Sequence, residues 1–233
     1  MLEINNFQSK LKHKKVVYTA IFGNKDNVPI IDIIPNDWDF VCFTDNNKLS
    51  SNLWKIVYTE GNNVDPTRSA RYIKHQPHTL FPNHDISIWI DANIHLLCDI
   101  NSLLYTINMY DFVGFQHPEK VEGIYHEGDR CIKFKKDDPE IIKKQLKKYR
   151  DESFPEKCDI LATWILVRKH NLKHVIDFDN NWFKEIENGS KRDQLSFPYV
   201  AKKLNLKYGK IKCDKSFTVW DMPGIFKRNR HKK

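Results

Sequence analysis

Apolar and β-branched residues gather in six short runs, each followed by polar or turn-forming residues. Val16 to Phe22 ends at Gly23-Asn24, and Asp39 to Phe43 ends at Thr44-Asp45-Asn46-Asn47. Trp54 to Tyr58, Ile86 to Ile90, Phe112 to Phe115 and Leu161 to Val167 complete the set. Runs this apolar suit strands covered on both faces. Helical spacing fills the intervals. Ala70 and Ile73 lie in a helix over Thr67 to Leu80, with Pro77 as its kink or end. Ile142, Leu146 and Tyr149 share a face of Pro139 to Arg150, and Phe197, Val200, Ala201 and Leu204 form a second stripe. Strands alternating with helices predict a single α/β domain with a mainly parallel central sheet flanked by helices. His117 to Asp138 follows neither period and reads as a functional loop or a flap over a site.

Composition narrows this picture. The 233 residues are enough for one such domain, and 40% hydrophobic content excludes a disordered chain. Charge interrupts every apolar run well short of the ~18–20 residues of a spanning helix. Met1 to Lys15 is polar and lacks the apolar stretch of a signal peptide. The expectation is a cytoplasmic chain, at most peripheral to a membrane. Cys42, Cys98, Cys131, Cys158 and Cys213 are widely spaced, which predicts reduced thiols rather than a disulfide or zinc framework. The formal charge of +8 (38 − 30) is concentrated in Lys10 to Lys15 and in Lys227 to Lys233. Such clusters seek anions: nucleotide phosphates, lipid phosphates, anionic headgroups or nucleic acid. The alternative is a solvated tail. The division expected is a basic extension over 1–14, the domain over 15–222 and a basic tail over 223–233.

Ligands of open α/β sheets bind beyond the carboxyl ends of the strands. Asp26, Asp45, and the pair Asp91 and Asn93 follow the first, second and fourth strands, so all belong to that edge. Asp91-Ala92-Asn93 sets two oxygen-bearing side chains toward one side, which suits Mn²⁺ or Mg²⁺ bound together with a diphosphate. The competing reading is a turn closed by local bonds from Asp and Asn to the backbone. Arg68, Arg71 and Lys74 recur on the first candidate helix and either clamp a diphosphate or form a solvated basic face. Asp65-Pro66-Thr67 is a good start for that helix. Ser190 to Asp193 fits a capping box; the functional alternative makes Asp193 a carboxylate at the reacting sugar, with Gln194 beside it. His117, His126 and Glu127 fall in the irregular segment and are candidates for acceptor contact or a metal shell. The chain has no glycine-rich phosphate loop and no H-E-x-x-H, which disfavours dinucleotide oxidoreductases, P-loop enzymes and zincins.

Five of these segments, in order, resemble a glycosyltransferase-like family that includes plant mucilage-type and ceramidase-named proteins and bacterial and viral polysaccharide-cluster members. They are Lys15 to Gly23, Asp39 to Asp45, Asp65 to Pro82, Trp89 to Asn93, and Arg192 to Phe197. The resemblance covers roughly residues 15 to 205. It implies a GT-A fold, with a Rossmann-like nucleotide-binding half joined to an acceptor-binding half. Asp91, Ala92 and Asn93 then stand in the place of the D-x-D motif; the neutral Asn93 oxygen leaves Asp91 as the chief metal ligand. Thr19, Phe22 and Asp45 would line the nucleotide, Arg68, Arg71 and Lys74 the diphosphate, and Asp193 and Gln194 the donor sugar or acceptor.

The implied reaction is a metal-assisted sugar transfer from a nucleoside-diphosphate sugar, UDP-linked, to a glycan or lipid-linked glycan. Asp193 would either deprotonate the acceptor hydroxyl or stabilise the sugar face. Two other readings stay open. One is a metal-dependent phosphoryl- or nucleotidyl-transfer enzyme with nucleic acid drawn by the tail, against which the lack of a dense carboxylate cluster argues. The other is a non-catalytic module that binds anionic glycan or membrane.

Overall fold

The computed structural model describes residues 7–61, 65–119, 121–212, 218 and 220–232. The six apolar runs form six strands, and a seventh at residues 209–211, not foreseen from the pattern, joins them in the central sheet. Its strands are β1 (Lys15–Ile21), β3 (Asp39–Thr44), β4 (Lys55–Tyr58), β5 (Ile86–Ile90), β7 (Phe112–Gln116), β8 (Leu161–Arg168) and β9 (Gly209–Ile211), in the order β4-β3-β1-β5-β8-β7-β9. Neighbours pair in parallel except at β8, which runs against both β5 and β7. The mainly parallel sheet expected from the pattern is therefore present. Its one reversed strand brings the start of β8 to the edge where β1, β3, β5 and β7 end.

The sheet separates two apolar cores, and successive strand residues alternate between them. Val16, Tyr18 and Ala20 face one core; Val17 and Ile21 face the other. The first core lies under the helices α1 (Pro66–His75), α2 (Pro77–Leu80), α3 (Ile124–Lys133), α4 (Pro139–Asp151), α5 (Lys173–Asn188) and α6 (Asp193–Lys203). Asp65 caps α1 by accepting from the Thr67 and Arg68 N–H groups. Proline then separates α1 from α2, as its fixed φ and missing donor require. The second core lies under a smaller sheet of β2 (Ile30–Ile31), β6 (Ile94–Leu96), β10 (Asp221–Met222) and β11 (Phe226–Arg228), ordered β10-β11-β6-β2.

Several expectations change here. The segment from His117 to Asp138 is not irregular throughout, because α3 occupies Ile124–Lys133. Its apolar positions, Ile124, Tyr125 and Cys131, are few but buried. The expected tail begins inside a hairpin: β10 and β11 lie on either side of residue 223, and Phe226 is buried in the second core. The N-terminal extension is anchored by Phe7, which packs edge-on against Phe43 and Phe81. Cys42, Cys98, Cys131 and Cys158 are free thiols, and Cys213 lies outside the described residues. Among the described residues, no helix is long and apolar enough to cross a membrane.

Candidate active site at the carboxyl edge of the sheet

Asp91 stands directly after β5. Its N–H donates to Trp164 O of β8 at 2.8 Å and its carbonyl accepts from Ile94 N at 3.0 Å, so it sits in a tight turn between β5 and β6. Trp89 Nε1 donates to Asp91 Oδ1 at 2.9 Å, and Arg71 Nη1 lies 3.9 Å from the same oxygen. The side chain keeps 18% of its surface exposed. Asn93 completes the turn and ties down the C-terminal segment: Asn93 Nδ2 donates to Asn229 O at 2.9 Å, and Asn229 N donates to Asn93 O at 2.8 Å. The Asn93 Oδ1 is buried and accepts no hydrogen bond.

Asp193 opens α6 and turns its carboxylate inward. Oδ2 accepts from Lys74 Nζ at 2.6 Å and from Thr163 Oγ1 at 3.1 Å, with Arg71 Nε at 3.5 Å. Lys74 and Asp193 are 0% and 1% exposed. Burial alone would raise the Asp193 carboxyl, but Arg71 and Lys74 more than offset it and hold the group well below the usual range. Burial pushes the Lys74 ammonium down to about 8, against the pull of Asp193. A carboxylate this committed is a poor proton acceptor for a substrate hydroxyl. It serves as an anchor: it neutralises buried Lys74 and steadies Arg71, which spans the gap to Asp91. The expected capping box does not form. Arg192 is the N-cap residue of α6, and the Ser190 hydroxyl instead donates to Asp137 Oδ2 at 2.7 Å.

The three basic residues of α1 do not act as one face. Arg68 donates to the carbonyls of Ile186 and Gly189, closing the end of α5. Arg71 faces the edge, and Lys74 is inside. Asp45 accepts from Gly23 N through both carboxylate oxygens, at 3.1 and 3.0 Å, and so joins the ends of β1 and β3. Thr19 and Phe22 are buried, Phe22 beneath Gly61, where an added Cβ would come within 2.6 Å of the ring. Asp26 pairs with His231 Nδ1 at 2.9 Å.

Past Asp193, the site extends toward the end of β7. Gln194 Nε2 donates to Leu161 O at 3.0 Å, and Arg192 Nη2 donates to Gln194 Oε1 at 3.3 Å. Arg192 lies beside the Cys131 thiol, which donates to Glu127 Oε1 at 3.5 Å. Glu127 is buried, and its Oε2 lies 3.7 Å from Arg130. His117 Nδ1 is occupied by Glu119 N at 3.2 Å, and burial lowers the imidazole pKa. The exposed His126 accepts from Glu122 N at 3.5 Å. Sequence reasoning singled out neither Thr163, Trp164 nor Arg228. Thr163 and Trp164 lie inside an apolar strand, so no local pattern marked them, and Arg228, which lies over the Trp164 ring at 4.4 Å, is one of several cations near the C-terminus.

Residues 3–231 match the model of the TOD1/MUCI70 glycosyltransferase-like domain. The chain is 30% identical over 166 residues to "Alkaline ceramidase TOD1" of Arabidopsis thaliana, covering 66% of this chain and 35% of that protein. It is 26% identical over 176 residues to "Probable hexosyltransferase MUCI70" of the same plant, covering 66% of this chain and 28% of that protein. The chain therefore spans about a third of the length of these curated relatives. Among solved structures, mouse xyloside xylosyltransferase 1 superimposes with a TM-score of 0.51 over 87% of this chain and 86% of the other, at 7% identity. That likeness concerns the fold alone, which is of the GT-A type. With the family model matched from end to end of the described sheet system, the chain belongs to the TOD1/MUCI70 glycosyltransferase-like domain family.

Proposed function

We propose that this domain transfers a glycosyl group from a nucleoside-diphosphate sugar, UDP-linked, to a hydroxyl of a glycan or lipid-linked glycan. The observation that carries the reading is Asp91: a partly exposed carboxylate at the carboxyl edge of the sheet, with Arg71 beside it. An acid next to a guanidinium at this edge suits a diphosphate that arrives with its own counter-cation.

The donor atoms fit Mn²⁺ or Mg²⁺ held jointly with substrate. Asp91 offers a carboxylate, and Asn93 Oδ1 is a buried acceptor without a hydrogen bond. Among the described residues no group of three or more His, Cys, Asp or Glu is placed to hold a metal, so the donor phosphates would supply the remaining oxygens. The cation, when bound, neutralises charge building on the leaving diphosphate. Arg71 adds a fixed positive charge to the same end, and the Lys74–Asp193 pair keeps Arg71 in place. The acceptor is assigned to the side of Gln194, Glu127 and His117, near the end of β7.

A thermal-shift panel tests the reading. The 233-residue chain is heated with UDP, GDP, ADP or CMP, with Mn²⁺ or with EDTA. One diphosphate, UDP, raises the melting temperature, and Mn²⁺ enlarges the shift; ligand at about 100 times its dissociation constant contributes about 2.7 kcal/mol. The absence of any shift with every nucleotide would overturn the proposal and favour a binding module.

A further inference from the structure

A cavity of about 240 Å³ lies between the end of α4, the start of β8 and the end of α6, and no residue placed at the site above lines it. Two helix endings build it. Ser153 follows α4 with φ +58°, and Asn205 follows α6 with φ +50°. After each turn the next residue bonds back five positions: Phe154 N donates to Tyr149 O and Leu206 N to Ala201 O, both at 2.9 Å. That pattern folds an apolar side chain back onto the end of its own helix. Phe154 and Leu206 are thus buried, and with buried Pro198 they form an apolar floor.

The rim is polar. Asp159, Lys202 and Asn205 are exposed there, and Tyr208 is half-buried. Lys202 Nζ stands 5.5 Å from the centre of the Phe154 ring, and Asp159 pairs with Lys210. Tyr208 packs edge-on against Phe197 at 5.0 Å, which fixes its ring. An apolar floor ringed by an amide, a hydroxyl, a carboxylate and an ammonium matches a sugar ring. The C–H face of the sugar lies on apolar atoms, while its hydroxyls, each both donor and acceptor, meet the rim. Charges of both signs on the rim favour a neutral ring over a phosphate or a uronic acid, which would draw a cluster of cations alone.

The cavity adjoins the side assigned to the acceptor. Pro198 and Ala201 lie five and eight residues past Asp193 on α6, about 7.5 and 12 Å at 1.5 Å per residue. The segment 155–159 leads into β8, whose Leu161 carbonyl accepts from Gln194 Nε2. Cys158 N donates to Glu122 O at 3.1 Å, in the loop that joins His117 to α3. A short oligosaccharide spans such distances.

We propose that this cavity binds a neutral pyranose unit of the acceptor glycan, remote from the hydroxyl that reacts. This rests on the glycosyl-transfer reading above. It gives the acceptor a class, an oligosaccharide rather than a single sugar, and a second point of attachment.

The test is isothermal titration of the 233-residue chain with cellotetraose, xylotetraose, mannotetraose and galactotetraose, and separately with UDP and Mn²⁺. At least one tetrasaccharide binds wild type. Asn205→Gly removes the amide and keeps the left-handed turn. Combined with Tyr208→Phe, it raises the dissociation constant for that sugar at least fivefold. Ser153→Gly makes the same kind of change at a turn residue that does not line the cavity, and stays within twofold of wild type. UDP affinity stays within twofold in every variant. Should the double variant melt lower than wild type, Asn205→Gly alone carries the test, with at least a threefold loss. Binding of UDP but of no tetrasaccharide overturns the inference and leaves the proposed function standing. So does a tetrasaccharide bound equally well by wild type and the cavity variants, since the sugar then sits elsewhere. A wild-type chain that binds no UDP removes the proposed function, and the acceptor role of the cavity with it.

Discussion

Asp91 and Asp193 lie at the same edge of the sheet and share Arg71, yet their surroundings differ sharply. Asp193 is sealed in, with Lys74, Thr163 and the Gln194 N–H all directed at its oxygens. Asp91 is partly exposed, and its Oδ1 accepts a hydrogen bond from Trp89 Nε1. Under the proposed function, the difference separates a carboxylate that holds the site together from the one assigned to meet substrate. Placement at the strand ends does not distinguish them; the donors already committed to each oxygen do.

The comparison breaks most visibly if the sealed side is opened. Lys74→Met leaves the Asp193 charge buried without its ammonium, and costs about 3–5 kcal/mol of stability in urea unfolding. A Lys74→Met/Asp193→Leu double variant recovers much of that loss, because an apolar pair needs no counter-charge. If Lys74→Met instead unfolds like wild type, the anchor role assigned to this pair is wrong.

A pH series sharpens the same contrast. The folded Asp193 carboxyl lies below its unfolded value, so its contribution to stability is fully present above the unfolded value of ~3.9 and disappears as pH falls through it toward the folded one. Between pH 5 and pH 3, urea midpoints should therefore fall more steeply for wild type than for Asp193→Asn. Parallel slopes would show that the carboxyl is not held in its charged form.

A smaller effect belongs to Trp182, whose Nε1 donates to Asp193 O at 2.9 Å inside the first core. Trp182→Phe removes that bond and leaves a buried carbonyl partly unsatisfied, at a cost of about 1–2 kcal/mol with the site geometry kept. Thermal unfolding in parallel with UDP titration separates the two: stability drops and the dissociation constant stays within twofold.

Six of the seven strands of the large sheet were legible as apolar runs, β8 being buried along all eight residues; the three-residue β9 was not. Nor was the small sheet. β2 and β10 have two residues each and β6 and β11 have three, and the β11–β6 and β2–β6 pairings join parts of the chain far apart in sequence. Such pairing leaves no period to read. The same limit hid the contact of Arg228 with the Trp164 ring, which forms because β11 folds back onto β6.

Within the site, the Asp91-Ala92-Asn93 turn and the late Arg192-Asp193-Gln194 segment were found by type and order, but not their roles. Arg68, Arg71 and Lys74 recur every third residue, and each such step turns about 60° around a helix. The spacing thus carries the row from the α5 contact, past the edge, into the core. Ser190 was misread for a related reason: its partner, Asp137, comes from a distant loop and outcompetes the local cap. Tertiary partners decided these cases, and a sequence lists residues without them.

The most direct test of the central claim is donor hydrolysis by wild type and Asp91→Asn, measured as UDP released from a panel of UDP-sugars with Mn²⁺ present. The account predicts release by wild type from one or more donors and a fall of about 100-fold in Asp91→Asn, equivalent to about 2.7 kcal/mol of lost transition-state stabilisation. The variant should keep its fold by circular dichroism and melt within a few degrees of wild type. Hydrolysis by a folded Asp91→Asn chain at the wild-type rate would contradict the assignment of Asp91 as the carboxylate that meets the donor.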